Sequence, residues 1–77
     1  MTRSSRPDPA LGAALRQLRE GQGVTREALA YQAGITASAL ARIELVQVAP
    51  GWDTVRRIAG ALGVSLLDLA AAVEAAE

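Results

Sequence analysis

The sequence predicts an all-α fold of five short helices in one small domain, and three observations lead there. A phrase of Gly, an aliphatic residue and Thr or Ser, with Leu four residues beyond the hydroxyl, occurs three times: Gly23-Val24-Thr25 to Leu29, Gly34-Ile35-Thr36 to Leu40, and Gly63-Val64-Ser65 to Leu69. Each copy punctuates a helix boundary: Gly ends one helix in the left-handed conformation, the hydroxyl caps the next, and the aliphatic residue staples onto the Leu. Between the copies, apolar residues recur at three- and four-residue intervals, and no strand is expected. The 77-residue chain is 51% hydrophobic but has only Trp52 and Tyr31 as aromatics, so one small aliphatic core is expected.

The elements follow in order. Residues 1–8 are polar and read as a flexible N-terminal arm, leaving 9–77 as the domain. Asp8-Pro9 suits a helix start, with Asp as cap and Pro at the first helical position. Leu11, Ala14, Leu15 and Leu18 then form a buried stripe, with Arg16, Gln17, Arg19 and Glu20 mostly off it, until Gly21 and Gly23 end the helix. The second helix spans Arg26 to Ala33 and buries Leu29, Ala30 and Ala33, leaving Arg26 and Glu27 exposed in its first turn. The third runs from Ala37 to about Leu45. Leu40 and Ile43 face the core, and Ala37, Ser38, Ala41, Arg42 and Leu45 lie opposite. Two short helices across the tight Gly34-Ile35-Thr36 turn have the spacing of a helix-turn-helix, over about 25–45, whose second helix can enter the major groove. A fourth helix from about Trp52 to Leu62 buries Val55, Ile58, Ala59 and Leu62 and turns Arg56 and Arg57 outward. The fifth starts after Ser65, with Asp68 three residues on as a short-armed capping box, and runs Ala-rich to the chain end.

Composition excludes several kinds of chemistry. Without Cys there is no disulfide or thiolate metal site, and without His the commonest metal ligand and general base are both missing. No phosphate-binding Gly-rich loop or facing carboxylate pair is evident, so neither an enzyme nor a cofactor is expected. No apolar run reaches a membrane span and the N-terminus lacks a signal-peptide core, so a cytoplasmic protein without membrane contact is expected. Eight Arg balance eight acidic residues, yet Arg3, Arg6, Arg16, Arg19, Arg26 and Arg42 precede Glu44 and face only Asp8, Glu20 and Glu27. The N-terminal half is locally basic, and for affinity to a duplex the placement of charge matters more than its sum.

From Leu11 to Leu69 the chain resembles the Cro and phage-repressor helix-turn-helix family, also called the Xre family. The residues that carry the resemblance are Leu11-Gly12, Leu15-Arg16-Gln17-Leu18-Arg19, Gly23-Val24-Thr25, Leu29-Ala30, Gly34-Ile35-Thr36, Leu40, Ile43-Glu44, Pro50, Asp53-Thr54-Val55, Ile58-Ala59 and Ala61-Leu62-Gly63-Val64-Ser65. The resemblance implies a compact five-helix, lambda-repressor-like domain that docks its third helix in the major groove of double-stranded DNA, usually as a homodimer. It also implies a structural ion pair between Arg19 and Glu44, and a phosphate contact from Arg26. Ser38 and Arg42 are the candidates for base contacts, since Arg can bond guanine bidentately. Thr25 and Thr36 can cap their helices and face phosphates, while Ala37 and Ala41 could at most touch thymine methyls.

The chain departs from the family after the third helix. Glu44-Leu45-Val46-Gln47-Val48-Ala49 replaces the usual Glu, any residue, Gly. Because positive φ is costly for a branched side chain, the helix is expected to end differently, by running on a turn. The cluster Leu45, Val46, Val48 and Trp52 has three readings: extra core, an interface with a second subunit or partner protein, or contact with DNA. The first two are preferred. Leu66, Leu67 and Val73 would supply a dimer contact through the fourth and fifth helices. The leading expectation is a stand-alone transcriptional regulator such as an autoregulating repressor, a restriction-modification controller or an antitoxin. The runner-up is a protein-interaction module using the apolar Leu45 to Trp52 surface.

Overall fold

Four of the five helices begin on a hydroxyl or carboxylate cap, and four end on a left-handed residue. The computed structural model describes residues 6–77, so most of the expected N-terminal arm, with Arg3, lies outside the described residues. The helices are α1 (Pro9–Gly21), α2 (Arg26–Ala33), α3 (Ala37–Glu44), α4 (Trp52–Leu62) and α5 (Leu66–Ala76), with no strand among the described residues. Asp8 caps α1 by accepting the Ala10 N–H, and Thr25, Thr36 and Ser65 accept from Ala28, Ala39 and Asp68 at the starts of α2, α3 and α5. Only α4 lacks a side-chain cap, because Gly51 stands at that position.

The first four helices all end in one pattern. The N–H groups of Val24, Ile35, Gln47 and Val64 reach back five residues, to the carbonyls of Arg19, Ala30, Arg42 and Ala59, at 2.8–3.1 Å. This closure needs a left-handed residue just before the donor. Gly23, Gly34 and Gly63 occupy that place at φ 69°, 74° and 72°, and at the end of α3 it is Val46, at φ 61°. The expectation that a valine would force α3 to end by another route is therefore corrected. Val46 accepts a conformation costing about 1–2 kcal/mol for an L-residue, and three interactions offset it. Its N–H bonds to the Ile43 carbonyl, the Gln47 N–H bonds to Arg42 at 2.8 Å, and its side chain is half-buried against α1.

The core lies where the stripes of all five helices meet, around Leu15, Leu29, Leu40 and Ile58, with Ile43, Val55, Leu62 and Leu69 about them. α1 packs on α3 and α5, and α2 packs on α3 and α4. Val24, Ile35 and Val64 pack against this cluster as the staples of the repeated phrase.

The contact between α1 and α3 passes through Gly12. A Cβ there would lie 2.9 Å from the Ile43 carbonyl oxygen, 3.0 Å from that of Glu44 and 3.3 Å from Val46 Cγ2. In Gly12→Ala the gain in helix propensity, about 1 kcal/mol, is outweighed by overpacking of about 1–3 kcal/mol. The expected result is a lower melting temperature. Gly60→Ala, where nothing lies within 4 Å, is expected to melt higher. Equal shifts in the same direction would remove the proposed close approach.

Candidate nucleic-acid interface

α3 is short and exposes one face; Leu40 and Ile43 seat it on the core, and a carboxylate holds its C-terminal end. Glu44, its last residue, has a side chain that is fully buried, and three N–H groups converge on it. Arg19 donates from Nε to Oε2 at 2.8 Å and from Nη2 to Oε1 at 3.1 Å, and Arg26 donates from Nε to Oε1 at 2.9 Å. Arg19 Nη1 also donates to the Val24 carbonyl at 2.9 Å, so α1, α2, α3 and the loop after α1 meet at one group. Among the described residues, every buried side-chain polar atom has a hydrogen-bond partner.

Two placements read from the sequence change here. Arg19, set mostly off the buried stripe, is itself buried, on the line from Gly12 through Leu15 that faces α3. Its charge can be buried because the guanidinium finds acceptors on α3 and the α1–α2 loop. Arg26, expected to be exposed and to meet a phosphate, is half-buried and commits its Nε to Glu44, so a phosphate contact would fall to its Nη groups.

Burial pushes the Glu44 carboxyl upward, but the hydrogen bonds and charges of Arg19 and Arg26 outweigh it and hold the group below its ordinary value of 4.5. A carboxylate whose folded pKa is depressed stabilises the fold fully above its unfolded value and loses that contribution as pH falls through the folded one. The expected result is a melting temperature that drops as pH is lowered below about 4.5. In Glu44→Gln that acid drop should be shallower. Parallel acid profiles for the two proteins would assign the sensitivity to other carboxylates.

On the outer face of α3, Ser38 and Arg42 are exposed and Ala41 is half-buried. Arg42 makes no side-chain hydrogen bond or ion pair among the described residues. Ala37, read as part of that face, is half-buried and packs against the core, because it lies one turn before Leu40 and two before Glu44, both buried. Thr36 and Thr25 flank the face at the starts of α3 and α2. Each oxygen accepts its capping bond, which leaves the O–H free to donate to an anion. The other exposed Arg pairs are local: Arg16 with Glu20 at 3.1 Å and Arg57 with Asp53 at 3.0 Å, both one helical turn apart.

The apolar cluster after α3 divides. Val48 packs on the core and Val46 on α1, while Leu45 is 54% exposed and Trp52 is 65% exposed. Trp52 lines an open apolar groove of about 620 Å³ with Leu11, Val55, Leu66, Leu67 and Val73. Leu67 is 80% exposed, whereas Val73 packs partly against the core. Tyr31, at 87% the most exposed large hydrophobic side chain among the described residues, has no role in the sequence reading, since nothing in the spacing of α2 distinguishes it. Among the described residues no single helix is long and apolar enough to cross a membrane, and no group of three or more His, Cys, Asp or Glu is placed to hold a metal ion.

A family model described as a helix-turn-helix domain matches residues 10–73. The chain is similar to the clp gene regulator ClgR of Corynebacterium glutamicum, at 29% identity over 88% of each chain with a TM-score of 0.83. It is also similar to the restriction-modification controller protein C.AhdI of Aeromonas hydrophila, at 28% identity over 79% of this chain and 92% of that one, with a TM-score of 0.77. The wild-type controller protein C.Esp1396I shares the fold, at 19% identity over 95% of this chain and 94% of that one, with a TM-score of 0.86. No curated protein sequence matches the chain significantly.

Proposed function

The chain belongs to the helix-turn-helix domain family, of the Xre-like kind, and from that premise we propose that it is a transcription regulator that binds operator DNA as a homodimer with α3 in the major groove. The observation that carries the reading is Arg42, exposed on a helix whose other side is fixed to the core and whose guanidinium is not spent on a protein partner. Arg42 and Ser38 read base edges, and Thr25, Thr36 and the Nη groups of Arg26 hold phosphates. The names of ClgR and C.AhdI, a gene regulator and a controller, support regulation rather than catalysis.

A second copy would occupy the groove lined by Trp52 and Leu67, pairing the same surface on both subunits. That arrangement must set two copies of α3 about 34 Å apart, one turn of DNA. Selection of binding sites from a random duplex library, followed by titration at two salt concentrations, tests the proposal. A two-part site whose affinity falls as salt rises is the expected result. Indifference to every duplex at low salt would reject it and turn attention to the groove and a protein partner.

A further inference from the structure

We infer that Leu45 is part of the DNA-reading face of α3 and that it selects operators by contact with the C5-methyl group of thymine, beside the base pair taken by Arg42. This rests on the operator binding proposed above. Leu45 follows the last helical residue, but its φ of −84° and ψ of 6° keep it close to the helical path, and its N–H still bonds to the Ala41 carbonyl at 2.9 Å. At 3.6 residues per turn it lies in line with Ser38, seven positions earlier, and between the rows of Ala41 and Arg42. That is the side opposite Leu40 and Ile43, which are buried.

The structure separates Leu45 from the residues the sequence groups with it. Val46 and Val48 turn toward α1 and the core, Trp52 joins the groove between α4 and α5, and Leu45 lines no part of that groove. Its isobutyl group is exposed at the end of the outer face of α3. The chemistry of that face is a hydroxyl, a guanidinium, a methyl and an isobutyl group. Among base edges in the major groove, thymine alone presents an apolar group, its methyl. Against a cytosine, adenine or guanine edge, Leu45 would cover donors or acceptors and return no hydrogen bond. The face therefore favours a thymine next to the guanine that suits Arg42, a preference the small side chains of Ala37 and Ala41 would not create alone.

The test uses the operator recovered by selection, with each thymine replaced in turn by deoxyuridine, which removes only the methyl. At one position in each half-site the replacement is expected to weaken binding by the wild-type protein about fourfold, the factor for one methyl-sized apolar group. In Leu45→Ala that penalty should vanish while the guanine preference remains, and Leu45→Met should restore it. The melting temperature of Leu45→Ala, read alongside, should match the wild type, as befits an exposed side chain. An operator bound tightly but indifferent to every deoxyuridine replacement would overturn the inference and leave the regulator reading intact. A penalty undiminished in Leu45→Ala would do the same. Failure to bind any duplex would overturn both.

Discussion

Glu44→Ala is expected to lower stability by about 3–5 kcal/mol, the usual cost of removing one partner from a buried ion pair. The cost arises less from the lost attraction than from Arg19, which stays buried with two of its three hydrogen bonds gone, keeping only the one to the Val24 carbonyl. A domain of this size has only about 4–12 kcal/mol in total, at 0.05–0.15 per residue. At about 4–8 °C per kcal/mol, the melting temperature should fall by tens of degrees. Arg26 suffers less, since its side chain is 34% exposed and can turn to water. A thermal melt followed by circular dichroism measures the effect. The double variant Arg19→Met with Glu44→Leu should regain much of the loss, because no charge is then left buried without a partner. An unchanged melt in Glu44→Ala would show that the three-helix junction contributes little.

Arg42→Ala is expected to do the opposite: leave the melt alone and remove recognition. Arg42 is exposed and touches no partner among the described residues, so its loss takes nothing from the fold. A bidentate contact to guanine is worth about 1–3 kcal/mol of discrimination, which is roughly a 5- to 150-fold loss of affinity for the selected operator. Affinity for random duplex should fall far less, because a single charge among several phosphate contacts is lost. Arg26→Ala should show a different signature, a uniform weakening over all sequences together with a lower melting temperature, because Arg26 also donates to Glu44. If Arg42→Ala bound operator and random DNA in the same ratio as the wild type, direct readout by Arg42 would be excluded.

The helices were legible because their signals are local. α2 and α4 fall over Arg26–Ala33 and Trp52–Leu62 as expected: in α2 cap, apolar period and terminal Gly agree, and in α4, which has no side-chain cap, apolar period and terminal Gly suffice. What the residues of the candidate site do with one another was less legible, because it depends on neighbours distant in sequence. The apolar stripe leaves Arg19 off the core, and only the family resemblance pairs it with Glu44; its burial depends on the approach of α3, 25 positions away. Gly12 reads as a mild helix weakener until the carbonyls of Ile43 and Glu44 are seen against it. Val46 was misread for a physical reason: intrinsic preference argues against positive φ, and the bonds closing α3 and the packing on α1 override it. Beyond Val46 the side chains of this segment alternate, with Val46, Val48 and Pro50 half-buried and Leu45, Gln47 and Ala49 exposed.

The junction at Glu44 also has a mechanical meaning. A helix of eight residues held only by Leu40 and Ile43 could rock on its greasy footing when pressed into a groove, as the proposed operator binding requires. Here its far end is riveted to α1 and α2 by three charge-assisted bonds, so α3 moves with the domain as one stiff body. A stiff reader spends little entropy in docking. It also yields little, so in the proposed complex the DNA would be the partner that bends where the two do not match in shape, and the ease of bending it would become part of the code.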